Sequence, residues 1–127
     1  MIREIKSVKH LTVTILILPL SSLLTVAATI DPFRAANRIS GKEIFHWKIV
    51  SPRGLAVNLT CGISFPVNGR FSDNDQGDLL IVIGGFDALN KALPVTPIRL
   101  KRILSRFSKV VSIEGGTWLL AKTGALD

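Results

Sequence analysis

Few side chains in this chain of 127 residues carry obvious chemistry. There is one cysteine, Cys61, and there are two histidines, His10 and His46. A single thiol excludes an intramolecular disulfide framework and a cysteine-rich zinc site. Two imidazoles leave little for a metal centre or a histidine base, so neither a metal site nor a cofactor is expected. The run Asp73-Asn-Asp-Gln-Gly-Asp78 has acidic spacing like that of a calcium loop. It lacks the length and the terminal bidentate glutamate, and it reads as a plain polar loop. Three segments that each follow an apolar run are more informative: Pro19-Leu-Ser-Ser22, Gly84-Gly-Phe-Asp87 and Glu114-Gly-Gly-Thr117. Glycine lets a ligand approach the main chain closely, and the amides after Glu114 open a helix N-terminus. Gly84, Gly85, Glu114, Gly115 and Gly116 are therefore the candidate ligand-binding residues. Glu114 favours a cationic or donor-rich ligand and opposes anions. The alternative is that its carboxylate only caps the amides that follow it.

The elements that must position these segments are legible from apolar patterning. Leu79-Leu-Ile-Val-Ile83 is continuous and apolar, as a central parallel strand buried on both faces should be. Leu11 to Leu18 is rich in β-branched residues and predicts a buried strand that Pro19 stops. Ser21 and Ser22 are N-cap candidates for a helix through Leu23, Leu24, Ala27 and Ala28, with Pro32 as a kink or a new turn. Ile44 to Val50 alternates as a strand with Phe45, Trp47 and Ile49 on one face. Leu55 to Asn58 and Gly62 to Val67 are short strand pieces in an irregular connection, and Asn68-Gly69 is a turn signal. Helical regions are predicted over Asp87 to Leu93, Ile98 to Phe107 and Thr117 to Lys122, with a strand over Lys109 to Ile113. Strands alternating with helices argue an α/β fold, a mostly parallel sheet covered on both faces. Functional loops of such sheets sit at the carboxyl ends of the strands, where all three small-residue segments fall.

Composition narrows the class. One domain is expected at this length. Hydrophobic residues make up 47% and charged residues 20%, and mean hydropathy is +0.41. This excludes a disordered tail, a collagen-like chain and a soluble coiled coil. Sixteen Lys and Arg against nine Asp and Glu leave a net charge of +7. Arg3, Lys6 and Lys9 form a basic N-terminal extension over residues 1–10. Arg99, Lys101, Arg102, Arg106 and Lys109 form a second cluster, read as the solvated face of an amphipathic helix. No DNA-recognition signature accompanies it, so sequence-specific DNA binding by these residues is not expected. The uncharged stretch from His10 to Ile30, with basic residues before it and Val26-Ala27-Ala28 inside it, also fits a signal peptide or a membrane anchor. Its β-branched content and Pro19 favour a strand and a helix in a cytoplasmic protein, with no membrane partner.

The segment Ile30-Asp-Pro-Phe-Arg-Ala-Ala-Asn-Arg38 resembles the first-helix motif of GlxA-type regulators. In these, a ThiJ/PfpI-like domain, related to class I glutamine amidotransferases, precedes an AraC-type DNA-binding domain. Trp47-Lys-Ile-Val-Ser-Pro52, Asp78 to Asp87 and Ile113 to Asp127 resemble the family in the same order, so the likeness covers nearly everything after residue 10. The resemblance implies a flavodoxin-like three-layer sandwich. It places residues 11–127 in a ThiJ/PfpI-like domain that is incomplete at the C-terminus, with the AraC-type DNA-binding domain absent. It implies a non-enzymatic ligand-sensing module with a small-molecule effector, and homo-oligomers among full-length relatives. Enzymatic relatives carry a Cys nucleophile on a strained elbow between strand and helix. Ser112-Ile-Glu-Gly-Gly116 keeps that frame with Glu114 at the nucleophile position, and a carboxylate attacks acyl groups poorly. Neither His10 nor His46 matches the family's base, and Cys61 lies far along the sequence, so no catalytic residue is assigned. A ThiJ/PfpI-type hydrolase is the alternative, and a small anchored or secreted protein is another. An incomplete sheet is expected to leave Leu11–Leu18 and Leu79–Ile83 partly uncovered, with aggregation, compensating oligomers or a partly molten state as the outcome.

Overall fold

The computed structural model describes residues 10–125. The basic cluster Arg3, Lys6 and Lys9 lies outside the described residues. The first strand, β1 (Leu11–Ile17), leads into α1 (Leu23–Ser40), then β2 (Phe45–Ser51). Three short strands follow, β3 (Val57–Asn58), β4 (Ser64–Phe65) and β5 (Gly69–Arg70), then β6 (Gly77–Gly84). The helices α2 (Ala88–Lys91) and α3 (Pro97–Leu104) precede β7 (Phe107–Glu114) and α4 (Gly116–Ala121). One five-stranded sheet has the order β5-β2-β1-β6-β7, and every pairing in it is parallel. The four long strands thus run second, first, third, fourth, which is the flavodoxin-like order.

Period-two alternation sorts the strands onto two cores. Val13, Ile15 and Ile17 of β1 face the same way as Ile81 and Ile83 of β6 and pack with Val26 of α1 and with the β3–β4 hairpin. Leu16, Leu18, Leu80 and Val82 face the opposite way, onto Ala88, Leu100, Ile103, Leu119 and Leu120 of α2, α3 and α4. The result is three layers. The first-helix motif shows why its residues are needed. Phe33 of α1 meets the ring of Phe45 edge-on at 5.0 Å and stacks near Trp47. The Asn37 amide both donates to Phe45 O and accepts from Phe45 N, each at 2.9 Å.

Several expectations need correction. Pro32 does not start a new turn, because α1 is continuous through it. Gly69 belongs to β5, an edge strand beside Val50, rather than to a turn. The helix over Ile98–Phe107 ends earlier, at Leu104, and Phe107 already starts β7. The uncharged stretch folds as β1 and the first half of α1, and no described helix is long and apolar enough to cross a membrane. The Asp73–Asp78 run is a loop only as far as Gln76, since Gly77 and Asp78 already belong to β6, and it does more than connect. Asp75 accepts from Lys48 Nζ at 2.5 Å and from Ser72 N at 2.7 Å, and Asp78 accepts from Thr12 N at 2.8 Å. Asp73 accepts from Arg99 Nε, and that hydrogen bond holds its carboxyl below the ordinary 3.8, helped by the charges of Arg99, Arg102 and Arg70.

The central strands are covered, contrary to expectation: Ile15, Leu16, Ile17, Leu80, Val82 and Ile83 are fully buried. α1 on one face and α2 to α4 on the other supply that cover. Exposure falls instead on β7. Among the described residues it pairs only with β6, and its Val111 is 44% exposed. An unpaired apolar edge templates association. The chain should therefore self-associate through β7, and Val111→Lys should shift it toward monomer in sedimentation without lowering its melting temperature. Unchanged association in that variant would place the contact elsewhere.

Candidate functional site

The carboxyl ends of β1, β6 and β7 converge, and they do so main chain against main chain. A Cβ on Gly84 would stand 2.7 Å from Gly116 N. One on Gly85 would run into Leu20 O, one on Gly115 into Gly85 O, and one on Gly116 into Val82 O. Gly115 N donates to Gly84 O at 3.0 Å, and Leu18 N donates to Ile83 O at 2.9 Å. Ser21, fully buried, donates its hydroxyl to Leu18 O at 2.6 Å. The four glycines are thus needed for close packing of strand ends. Gly84 is buried by this packing, while Gly85 also lines an open cavity of about 320 Å³ with Phe86, Asp87 and Trp118.

Non-glycine residues with positive φ gather at the same end: Leu20 after β1, Asp87 after β6 and Glu114 at the end of β7. Glu114 has φ 52°, a left-handed conformation that costs a non-glycine residue about 1–2 kcal/mol. Its neighbours hold it there, since Gly115 is pinned to Gly84 and Gly116 begins α4. The turn aims the Glu114 side chain across the strand ends toward α1. Its Oε1 accepts from the Thr25 hydroxyl at 2.8 Å. Thr25 is in the first turn of α1, capped by Ser22, whose Oγ accepts from Thr25 N. That turn holds no acidic residue of its own, so Glu114 places negative charge beside the positive end of the α1 dipole. The cap of α4 has no side-chain hydrogen bond, so Glu114 does not serve the amides that follow it. Glu114 is exposed, and its Oε2 accepts no hydrogen bond among the described residues.

The other chemical side chains are elsewhere. His10 and His46 stack at 4.1 Å, with Glu43 beside them, at the amino end of the sheet. His46 is level with Thr12, whereas Glu114 is level with Gly84, one step past the Ile17–Ile83 pair. Six residues of parallel strand therefore separate them, about 20 Å at about 3.3 Å per residue. Cys61 is exposed in the β3–β4 turn. That turn reaches the site end, because Thr60 N donates to Ser21 O at 3.1 Å. No group of three or more His, Cys, Asp and Glu suited to a metal ion occurs among the described residues. Sequence reasoning missed Thr25, and it singled out the segments holding Leu20 and Asp87 without marking the left-handed backbone of either. Only the Ser22 cap signal, three residues before Thr25, pointed toward that residue.

No protein-family model matches the chain. The HTH-type transcriptional regulator CdhR of Pseudomonas aeruginosa is 30% identical over 112 residues, 88% of this chain and 33% of the regulator. The HTH-type transcriptional regulator GbdR of the same species is 26% identical over 106 residues, 84% of this chain and 29% of the regulator. The chain is a homologue of HTH-type transcriptional regulators. It spans about a third of the length of these curated relatives. Among solved structures, an AraC family transcriptional regulator from Pseudomonas putida superposes with a TM-score of 0.79 at 22% identity, over 92% of this chain and 63% of that one. A ThiJ/PfpI family protein from Pseudomonas syringae superposes with a TM-score of 0.71 at 16% identity, over 93% of this chain and 48% of that one. At these identities the structures establish the fold alone, a flavodoxin-like α/β sandwich.

The strand-end packing and the Glu114 turn are separable by mutation. Gly85→Ala should cost about 3 kcal/mol or more, because only backbone can yield to the new Cβ. Glu114→Ala keeps the strained φ and loses the Thr25 bond, so stability should fall by about 1 kcal/mol. Glu114→Gly relieves the strain while losing the same bond and loosening the unfolded chain, and should stay within about 0.5 kcal/mol of the parent. Denaturant midpoints measure all three. A Glu114→Gly variant as unstable as Glu114→Ala would show that the turn is not strained.

Proposed function

We propose that this chain is the ligand-sensing, non-catalytic part of an AraC-type transcriptional regulator, with the Glu114 elbow as its effector site. The observation that carries the reading is the carboxylate itself. A strained elbow, the position where enzymes of this fold type hold a nucleophile, here presents Glu114 with one oxygen tied to Thr25 and the other open. A fixed carboxylate selects cationic or donor-rich small molecules. Thr25 couples whatever binds there to the start of α1, an 18-residue helix that crosses one face of the sheet. Gly85, beside the open cavity, completes the candidate site.

In this reading residues 11–127 belong to a ThiJ/PfpI-like sensor domain of a cytoplasmic regulator, and sequence-specific DNA recognition belongs to other residues. The α3 face, with Lys101, Arg102 and Arg106, offers salt-sensitive phosphate contacts only. Full-length regulators of this type would act as homo-oligomers.

The same geometry supports a non-catalytic reading. Glu114 is a weak nucleophile, and the imidazoles of His10 and His46 lie at the far end of the sheet. Model esters, amides and methylglyoxal should show no turnover above background, and Glu114→Cys should not create any, because no base accompanies the new thiol. Turnover that disappears in Glu114→Ala would establish an enzyme instead. For sensing, small amines and polyols screened by thermal shift should include stabilising compounds whose effect Glu114→Gln removes. Hits that are indifferent to Glu114→Gln would move the effector site away from the elbow.

A further inference from the structure

A second cavity opens where β1, β2 and the end of α2 meet, with a volume of about 140 Å³. No residue of the Glu114 elbow lines it. Pro19, just after β1, and the buried Val57 of β3 give it apolar walls. Leu55 and Leu93, which reach it from different connections, stay 68% and 44% exposed. Scattered surface leucines are ordinary, but two at one cavity leave apolar area open to water at a single concave place.

Two cations line the same cavity, Arg53 from the turn after β2 and Lys91 from the last turn of α2. Among the described residues the ion pairs take Arg34, His46, Lys48 and Arg99, and neither Arg53 nor Lys91 has an acidic partner. Like charges brought to one cavity repel, and an anion between them relieves that repulsion. The wall that carries Arg53 is built in advance. Ser51 donates its hydroxyl to Leu55 O at 2.7 Å, and Phe71 N donates to Ser51 O at 2.9 Å. Gly54 turns at φ 77° against Arg70, where a Cβ would meet the Arg70 Cβ at 3.0 Å. A prebuilt wall lowers the ordering cost of binding.

We infer that this cavity binds a small organic monoanion, a benzene-sized apolar body bearing one carboxylate. Size sets the body, since an apolar cavity of about 150 Å³ accepts benzene. Charge sets the head group: Arg53 offers a planar fork for a carboxylate and Lys91 a point charge. The site stands independently of the reading of Glu114, whose carboxylate repels such a ligand.

Benzoate titrated into the isotope-labelled 127-residue chain, followed by amide NMR, tests this. Saturable shifts are expected at Arg53 to Val57 and at Lys91. Benzamide, which has the same shape without the charge, should bind about tenfold more weakly or worse. The combined variant Arg53→Gln and Lys91→Gln should lose that preference, binding benzoate no better than benzamide. Arg53 is exposed and Lys91 half-buried, and unchanged amide dispersion confirms that the variant is folded. Equal affinity for benzoate and benzamide in the parent overturns the inference. So does a benzoate preference that survives the double variant, a response centred on Arg102 and Arg106 instead, or no saturable shift below about 50 mM.

Discussion

Contact between main chains at the carboxyl ends of β1, β6 and β7 is the constraint on which the site depends. Gly85 sits against Leu20 O, Gly115 against Gly85 O and Gly116 against Val82 O, at separations that exclude a Cβ. Each glycine therefore fixes the position of another strand end rather than its own flexibility. Because the contacts are between backbones, they depend little on side-chain rotamers, salt or pH. What remains free to vary at this end of the sheet is the residue that the frame presents, and here that residue is Glu114.

The frame also explains why Glu114 can hold an unfavourable φ. Strain persists only where the surroundings over-determine a conformation. Gly115 N bonded to Gly84 O on one side and α4 beginning at Gly116 on the other leave the turn no alternative. The Thr25 hydroxyl and the α1 dipole then return part of the cost by receiving the carboxylate. A residue placed by sequence next to α4 thus works for α1, on the other face of the sheet.

This cross-sheet link marks the boundary of what was legible in the sequence. Leu79–Ile83 as a central strand, Leu11 to Leu18 as a buried strand (which ends one residue earlier, at Ile17) and Ser22 as a cap follow from local composition, and each depends on neighbours within a few residues. The parallel sheet follows from strands alternating with helices. Pro32 as the start of a new turn was a misreading, because local propensity disfavours proline inside a helix, while packing of Val26, Ile30 and Phe33 holds α1 together across it. Gly69 was misread because its turn signal ignores the free edge of β2 that captures it. Glu114 was identified as the elbow residue, but Thr25 lies 89 residues away and nothing local marks the pair. The glycines were found for their type. Their partner turned out to be backbone, which only the strand order reveals.

Charge is deployed differently along the connection from β5 to β6. There the chain is held by carboxylates, Asp75 on Lys48 and Asp73 on Arg99, with Asp78 at the start of β6 on Thr12. These ties anchor β1, β2 and α3 to one acidic loop, and they occupy acidic groups that a chain of net charge +7 has in short supply. Arg53 and Lys91 have no carboxylate partners among the described residues and stand beside a cavity. Exposed cations farther apart than about 8–10 Å are screened from one another at ordinary ionic strength. A general basic surface therefore does not define a binding site, whereas two cations converging on one apolar hollow do. The strand-end glycines position that hollow as they position Glu114, since Leu20 O against Gly85 sets the turn that carries Pro19 into the cavity wall.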